Sequence, residues 1–375
     1  MKHIGLLLHF YQPPTQDPDI VRRIDGECYR PVFSLLEEWG EGVTLNINYS
    51  LTEQLAELAP ATLKALSRLH RCSFTGSGAY HPILPLIPAE ETARQIRLNL
   101  EGNRRLIGDA YRPKGLFPPE MALDAATAKL IGEQGCSWTV TDDVPWVSSG
   151  GKAPWNRILS SGGVPVFLRS NFWSNRISFH GKDGAATALE LKRSMEEWTG
   201  TEDACLVIAM DGETFGHHWK GGVSGFLGPF LKTLASTHGI KVSTMDEMLR
   251  TFPLEESRLP AGSWSTTPED VAAGEPYPLW SHSKNRNHQR YWELLSFVLD
   301  ASLEERCEGV AALADKMLYS CPLWWASSGR ESYTQVRRGI LMILEAALAG
   351  VPRGELLDRV MELAGRVPAM AGRDR

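Results

Sequence analysis

Residues 206–219 read LVIAMDGETFGHHW, and this stretch decides how the rest of the chain is interpreted. Five apolar residues run directly into Asp211 and Glu213, and two histidines and a tryptophan follow. A short, continuous apolar run bounded by polar residues is typical of a strand that is buried on both faces of a parallel sheet. The polar residues then lie at the carboxyl end of the strand, where such sheets carry their ligand sites.

The same pattern recurs along the first two thirds of the chain. Short apolar runs end in polar residues and alternate with helical stretches, which predicts a parallel sheet with crossover helices. Seven runs, with 241–245 as a candidate eighth, favour a closed β/α barrel that is complete or slightly irregular. The seven runs are IGLLLHF (4–10), VTLNINY (43–49), CSFTGSG (72–78), GLFPPE (115–120), SWTVTDD (137–143), VPVFLRS (164–170) and CLVIAM (205–210).

The pattern changes after about residue 255. Residues 254–278 are rich in Pro, Gly, Ser and Glu and are interpreted as a connecting loop. Helical patterns follow at 287–301, 303–320, 332–350 and 353–365. We therefore predict a barrel over residues 1–255 and a C-terminal helical bundle over residues 256–375, with the last five residues frayed.

Composition argues against several classes of protein. The formal charge of −6 does not suit a general nucleic-acid binder, and no segment approaches the ~20 apolar residues of a membrane span. The apolar run after Met1 is too short for a signal peptide. Six scattered cysteines without a CxxC pair favour free thiols in a reducing compartment, so we expect a cytoplasmic protein and leave its oligomeric state open. The cysteines are Cys28, Cys72, Cys136, Cys205, Cys307 and Cys321.

Polar residues end five of the seven apolar runs. In a parallel barrel the carboxyl ends of all strands meet at one face, so these side chains are expected to converge there. That convergence is the main evidence in the sequence for a functional site. The residues are His9 and Gln12, His81, Glu120, Arg169 and Asp211.

Glu120 and Asp211 are the two carboxylates best placed for catalysis. A paired Glu and Asp can cleave a glycosidic bond, with one attacking the anomeric carbon and the other protonating the leaving oxygen. Asp211 follows Ala209-Met210 and has Glu213 close by, surroundings that favour a protonated carboxyl and make Asp211 the better candidate acid. Simpler interpretations exist for each residue alone, namely a helix cap for Asp211 and an ordinary loop position for Glu120.

Metal and cofactor sites are also considered. Asp211, Glu213, His217 and His218 could ligate a metal, although HExxH is absent and no histidine pair there has i,i+4 spacing. His9 with ligands from other strands could do the same, as in deacetylases on related barrels. The sequence contains no GxSxG, GxGxxG or P-loop motif, so no nucleotide cofactor is predicted.

Four motifs together resemble glycoside hydrolase family 57. Residues 9–13 (HFYQP) are similar to the family's opening His-x-His-Gln-Pro, and residues 80–88 (YHPILPLIP) to its second motif. Residues 117–120 (FPPE) resemble the nucleophile motif, and residues 211–216 (DGETFG) are the most specific match. The resemblance implies an incomplete (β/α)7 barrel followed by a helical domain, retention of configuration and no catalytic metal or cofactor. It also implies that Glu120 is the nucleophile and Asp211 the general acid/base.

The resemblance further implies a set of substrate-binding residues. Four of them would line the subsite of the attacked sugar, two would fall at stacking positions, and one would be a lid residue where the helical domain contributes to the cleft. These are His9, Gln12, His81 and Glu213 for the subsite, Phe117 and His218 for stacking, and Trp280 for the lid.

The sequence also departs from the family pattern. Tyr11 replaces the second histidine of the first motif, and a phenol cannot carry the positive charge of an imidazolium. Phe117 replaces a frequent tryptophan. The chain is short, so we expect neither the large β-rich C-terminal domain of the family's glucanotransferases nor the extensions of its pullulanases, which argues against those as exact counterparts. The Trp324-Trp325 pair favours a position in the core of the helical bundle, although a loop between helices favours partial exposure.

The leading hypothesis is a retaining α-glycoside hydrolase or α-glucan transglycosylase. It would act on α-linked gluco-oligosaccharides or a glucan, without nucleic-acid or membrane partners. Two alternatives are a metal-dependent polysaccharide deacetylase-like enzyme and a non-catalytic carbohydrate-binding protein. The sequence does not choose between hydrolysis and transfer.

Overall fold

The computed structural model describes residues 1–303, 308–327, 329, 332–351 and 353–370. Its strands are β1 (Lys2–Phe10), β2 (Thr44–Ile47), β3 (Ser73–Thr75), β4 (Gly115–Leu116), β5 (Trp138–Asp142), β6 (Ile158–Ser161), β7 (Val164–Arg169), β8 (Ala204–Asp211), β9 (Ile240–Val242) and β10 (Leu254–Glu256). Its α-helices are α1 (Pro18–Ile24), α2 (Arg30–Trp39), α3 (Tyr49–Leu58), α4 (Pro60–Leu66), α5 (Ala89–Ile107), α6 (Ala125–Glu133), α7 (Asp143–Ser148), α8 (Asn171–His180), α9 (Gly184–Thr199), α10 (Gly228–Ser236), α11 (Met245–Thr251), α12 (Pro268–Ala273), α13 (Arg286–Leu303), α14 (Glu308–Met317), α15 (Cys321–Trp324), α16 (Tyr333–Gly350) and α17 (Glu355–Arg366).

Seven strands pair in parallel around a ring in the order β1, β2, β3, β4, β5, β7 and β8. Strand β1 is buried along its whole length and pairs with β8 through eight consecutive residue pairs, from Lys2–Ala204 to His9–Asp211. A strand covered on both faces can be apolar at every position, which explains its continuous apolar run. The candidate eighth strand is β9, which pairs only with the amino-terminal part of β1 and does not extend the ring.

Two sparse seams make the barrel incomplete, as predicted. Strands β3 and β4 are joined by a bridge between Gly76 and Leu116, where Gly76 N donates to Gly115 O at 2.8 Å. Strands β7 and β8, which lie entirely within the described residues, share one register pair, Arg169 with Val207. The ring is therefore weakly bonded at these two places.

A hairpin that the sequence analysis did not identify is formed at β7 of this ring. Strand β6 pairs antiparallel with β7 through Leu159–Val166 to Ser161–Val164, and β10 adds to β6. Gly162 and Gly163 form the two-residue turn, and both have positive φ angles. Two glycines between short β-branched runs are a hairpin signal, because both turn residues then adopt left-handed conformations without strain.

The helical region packs on one flank of the barrel and shares an apolar core with it. This core combines Ile83 and Leu116 of the barrel with Leu294, Ile340 and Val360 of helices α13, α16 and α17. The helices match the four predicted helical patterns, and the short α15 is additional. Because the core spans both regions, the division into 1–255 and 256–375 stays a prediction.

The sequence also makes predictions about the cysteines, the C-terminal tail and membrane-spanning segments. Cys28, Cys72, Cys136, Cys205 and Cys321 are free thiols. Cys307, the residues 304–307 of one predicted helix and the tail 371–375 lie outside the described residues. Among the helices that the structure describes, none is both long and apolar enough to span a membrane.

Gly115 offers a test of the barrel wall. A Cβ atom at this position would lie 2.1 Å from ring atoms of the buried Trp138 on the adjacent strand. We expect Gly115→Ala to lower the free energy of unfolding by about 1–3 kcal/mol, measured by urea denaturation. Gly365→Ala on α17, where a Cβ would meet nothing within 4 Å, is the control and should not destabilise the protein.

Candidate active site

A cleft of about 1270 Å³ opens at the carboxyl ends of the barrel strands. Its walls come from the loops after the strands, from α8, from residues 264–279 and from the helical region around α15. Seven of the nine predicted site residues line it, so the expected convergence of strand-end side chains is observed. They are His9, Gln12, His81, Glu120, Asp211, Glu213 and His218.

The backbone is strained at the two loops that carry His81 and Glu120. Among the described residues, the non-glycine residues with positive φ are His81 (62°), Glu120 (58°) and Met121 (51°). Such conformations are uncommon for side-chain-bearing residues and cluster at functional sites. Pro118 and Pro119 precede Glu120 and Met121, and the proline rings restrict the backbone conformations available to the chain just before these two residues.

Glu120 is a mostly buried carboxyl with one strong hydrogen bond. Trp264 Nε1 donates to Glu120 Oε2 at 2.7 Å, and Trp264 N donates to the Glu120 carbonyl at 3.1 Å. Only 16% of the Glu120 side chain is exposed. Burial, reinforced by the negative charge of Asp211, raises the pKa of Glu120 to about 8, and the Trp264 bond opposes that rise. Glu120 and Asp211 therefore interact electrostatically across one cleft.

Glu213 is a second buried carboxyl, tied to the wall of the cleft. Tyr29 Oη donates to Glu213 Oε1 at 2.8 Å, and Gln12 Nε2 donates to Tyr29 Oη at 3.0 Å. Burial and the neighbouring Asp211 charge raise the pKa of Glu213 to about 8, although the Tyr29 bond opposes this. Asp211 itself is partly exposed at the end of β8. Surroundings that favour a protonated carboxyl were expected at Asp211, and burial provides them at Glu120 and Glu213 instead.

His9 and His81 form a buried pair on the floor of the cleft. Their Nε2 atoms are 3.2 Å apart, and His9 Nδ1 lies 2.6 Å from Asn46 Oδ1. His81 Nδ1 lies 3.0 Å from Ser320 Oγ and 3.8 Å from Glu120 Oε1. Burial is the main reason that the pKa of both imidazoles is lowered, so the pair is neutral at neutral pH.

Tyr11 occupies the position of the histidine in the first motif. Its ring stacks on His81 with centroids 4.0 Å apart and planes 11° apart. Its hydroxyl lies 3.5 Å from Cys321 Sγ, and burial raises the pKa of Tyr11 well above its ordinary value. The phenol is therefore a neutral ring that fixes the orientation of His81.

The comparison with known proteins agrees with this geometry. The sequence profile of glycosyl hydrolase family 57 matches residues 10–260, which is more than half of the chain. The chain belongs to glycosyl hydrolase family 57. An alpha-amylase of Pyrococcus abyssi is 27% identical over 259 residues, and a 4-alpha-glucanotransferase of Thermococcus litoralis is 26% identical over 264 residues. Each match covers 65% of this chain but only 38% of the relative, so the chain spans much less than the full length of these curated relatives.

Solved structures share the fold. The crystal structure of the Thermococcus litoralis 4-alpha-glucanotransferase superposes with a TM-score of 0.77 at 20% identity, covering 94% of this chain and 60% of that one. A branching enzyme of Pyrococcus horikoshii superposes with a TM-score of 0.74 at 16% identity, covering 97% of this chain and 94% of the other. At these identities the likeness shows the fold alone, and it extends into the helical region.

Two residues predicted from the family 57 resemblance do not line the cleft. Phe117 is fully buried and stacks on His9 with centroids 4.7 Å apart, so it supports the histidine rather than facing a ligand. Trp280, the predicted lid residue, is fully buried in the core shared with the helices. The structure corrects its position, because the chain turns inward there and the preceding Pro278 and Leu279 line the cleft instead.

Three cleft tryptophans were not among the binding residues predicted from the sequence. Trp264 lies in the segment interpreted as a connecting loop, and for Trp324 and Trp325 the sequence favoured the bundle core while leaving partial exposure open. All three are partly exposed and line the cleft. An aromatic residue inside a loop rich in Pro, Gly and Ser is the signal that could have identified Trp264, because binding residues concentrate in loops held by a rigid scaffold.

The metal-binding alternative requires a cluster of side chains that could ligate a metal ion. Within the described ranges, no three His, Cys, Asp or Glu side chains come together in an arrangement that could hold a metal ion. His217, one of the suggested ligands, instead pairs with Glu27 through Nδ1 and Oε2 at 2.8 Å. His218 is exposed and lies beside His217, with ring centroids 5.4 Å apart.

The raised pKa of Glu120 has a consequence for folding that can be measured. Between about pH 5 and pH 8 the folded protein keeps a proton on Glu120 that the unfolded chain releases, so this residue makes stability fall as pH rises. Glu120→Gln removes that contribution. We expect the variant to exceed the wild type in free energy of unfolding at pH 8 by up to about 5 kcal/mol, with a smaller gain at pH 5.

Chemical denaturation across this pH range makes the measurement. Glu38→Gln, at an exposed position of α2, is the control and should track the wild type at each pH. Equal stability of wild type and Glu120→Gln at pH 8 would show that the carboxyl is as well solvated in the folded protein as in the unfolded chain.

Proposed function

We propose that the chain is a retaining α-glycoside hydrolase or α-glucan transglycosylase, with Glu120 as nucleophile and Asp211 as general acid/base. One observation carries the proposal. Two carboxyl groups from different strand ends line one cleft, and the charge of Asp211 helps to raise the pKa of Glu120, which supports a pair of the kind that cleaves glycosidic bonds. The family membership and the names of the relatives, alpha-amylase and 4-alpha-glucanotransferase, support an α-glucan substrate.

The two carboxyls differ in how the fold holds them. Glu120 is held by a strained loop and by the Trp264 hydrogen bond, so its oxygen is fixed in position for attack on an anomeric carbon. Asp211 is partly exposed at the end of β8, where it can exchange protons with the leaving sugar and with water. After the glycosyl–Glu120 ester forms, Asp211 takes a proton from water or from a sugar hydroxyl, which completes hydrolysis or transfer.

The cleft suits an oligosaccharide better than a single sugar. Its volume of about 1270 Å³ exceeds the ~300–1,000 Å³ typical of small-molecule sites. Partly exposed tryptophan rings at 264, 324 and 325 offer flat apolar faces to sugar rings, and Gln12 and Glu213 offer polar groups to hydroxyls. We therefore propose α-linked gluco-oligosaccharides or glucans as substrates, with the helical region forming one wall.

The catalytic pair can be tested by substitution and rescue. We expect Glu120→Gly to lower the rate on maltooligosaccharides at least ~1,000-fold, because no covalent intermediate can form. Azide should restore part of the activity and give a glycosyl azide of inverted configuration at the anomeric carbon. Asp211→Asn should also lose rate by orders of magnitude, least on substrates with good leaving groups. NMR of the product anomers reports retention in the wild type.

The same assays separate this proposal from a binding protein. A carbohydrate-binding protein would show no turnover in the wild type and would keep its affinity in both variants. Glu38→Gln, with its exposed side chain on α2, is the matched control and should retain full activity. An inverted product anomer in the wild type would contradict the nucleophilic role of Glu120.

The hydrogen bond from Trp264 offers a second test, through pH dependence. The nucleophile must be ionised, so a raised pKa for Glu120 places the acidic limb of kcat/KM near neutral pH or above. Trp264→Phe removes a donor that lowers this pKa, and we expect the limb to move to higher pH by about 0.5–1 unit. Trp146→Phe is the control, because Trp146 Nε1 donates to Lys152 O away from the cleft and its loss should leave the limb in place.

A further inference from the structure

The buried hydrogen bonds around Asn46 determine where the protons of the histidine pair lie. Asn46 Nδ2 donates to Thr75 Oγ1 at 2.8 Å and to the Gly76 carbonyl at 3.2 Å. A carbonyl oxygen only accepts, so this side of the amide is the NH₂ group and Oδ1 faces His9. Since Asn46 Oδ1 carries no hydrogen, His9 Nδ1 must donate to it.

The position of the hydrogen on His9 in turn determines the tautomer of His81. A neutral His9 with its hydrogen on Nδ1 has a lone pair on Nε2. The two Nε2 atoms face each other, so a hydrogen bond between them requires His81 Nε2 to donate and His9 Nε2 to accept. The Nδ1 atom of His81 then has no hydrogen, and its lone pair accepts a hydrogen bond from the Ser320 hydroxyl. That same nitrogen lies 3.8 Å from Glu120 Oε1.

We infer that Asn46 is a positioning residue that fixes the tautomers of His9 and His81 so that the pair presents a lone pair, and no N–H, to the nucleophile. Glu120 is thereby left with Trp264 as the donor to its carboxylate, and its Oε1 faces a nitrogen that cannot donate. A carboxylate with few donors in a buried site is a weakly stabilised anion, which favours both its protonation in the free protein and its reactivity once ionised. The inference rests on the proposed nucleophilic role of Glu120.

Ring packing holds this arrangement in place. Tyr11 stacks on His81 at 4.0 Å, and Phe117 stacks on His9 at 4.7 Å, so both imidazoles are clamped on their faces. Asn46 pairs with His9 in the β1–β2 register, which fixes the distance between their side chains. Neither stacking ring carries a charge that could alter the tautomers.

The ionisable groups that face Glu120 come from four parts of the fold. Asp211 comes from the end of β8, His81 from the loop after β3, Tyr11 from the loop after β1 and Cys321 from α15. Burial keeps Tyr11 and Cys321 neutral, since it raises the pKa of the phenol well above its ordinary value and that of the thiol to about 12. Asp211 and the histidine pair are therefore the groups through which the protonation of Glu120 is set.

Asn46→Asp reverses the arrangement and tests the inference. The new carboxylate at position 46 favours an imidazolium at His9, which then donates from Nε2 to His81 Nε2. His81 must shift its hydrogen to Nδ1, where it points to Glu120 Oε1 and stabilises the carboxylate. We expect the acidic limb of kcat/KM to move to lower pH by about one unit or more.

Thr75→Val is the matched control. It removes one partner of the Asn46 amide but leaves the Gly76 carbonyl to hold its orientation, so the tautomers should stay as they are. We expect it to lower stability without moving the acidic limb. An unshifted or upward-shifted limb in Asn46→Asp would overturn the inference, and so would an equal shift in Thr75→Val.

Nitrogen-15 NMR of histidine-labelled wild-type protein gives a direct readout that does not depend on Asn46→Asp. At pH 7 we expect His9 to carry its hydrogen on Nδ1 and His81 on Nε2, with resonances assigned by single His→Gln substitutions. A hydrogen on His81 Nδ1 in the wild type would overturn the inference. Absence of glycosidase activity in the wild type would instead defeat the proposed function, while the NMR result would still decide the proton arrangement.

Discussion

The parallel pairing of β1 with β8 and β2 is the constraint on which the site depends. Its register with β8 places His9 opposite Asp211, and its register with β2 places His9 opposite Asn46. A slip of one residue on either side would turn every side chain of the moved strand to the other face. The proposed acid/base, His9 and the amide that fixes its proton are thus positioned by one buried strand, and His81 reaches His9 from the loop after β3.

The residues proposed to carry the chemistry lower the free energy of unfolding of the protein. Positive φ angles at His81 and Glu120 cost on the order of 1–3 kcal/mol each, and burial of an ionisable carboxyl adds to that. Segments after the barrel hold these residues in place, since Ser320 N donates to the His81 carbonyl and Trp264 N to that of Glu120. The C-terminal part of the chain therefore does more than cover the cleft, because it bonds directly to the strained backbone.

The sequence predicted those features that follow from local pattern and failed where position depends on distant packing. Seven strands and the convergence of their polar ends follow from apolar runs, and each run was identified. Trp280 was misplaced because a tryptophan beside prolines looks the same in a sequence whether the chain turns it inward or outward. Trp264 reaches Glu120 across 144 residues, and the burial of Glu120 depends on segments far away in the chain. Neither the Trp264 hydrogen bond nor the burial of Glu120 can be read from the spacing of residues along the sequence.

The charge distribution of the cleft fits the proposed reaction better than it fits tight binding of a neutral sugar. Glycoside cleavage passes through a transition state with positive charge on the sugar ring. Glu120, Asp211 and Glu213 line the cleft, while burial keeps the adjacent histidines neutral and the cleft-lining Arg169 is already paired with Asp142. Tyr11 adds no positive charge at the position where the family motif has a histidine. Once Glu120 is ionised, its carboxylate meets no compensating cation among these histidines and Arg169, so it stabilises the positive charge as it develops, which is the differential binding that accelerates a reaction.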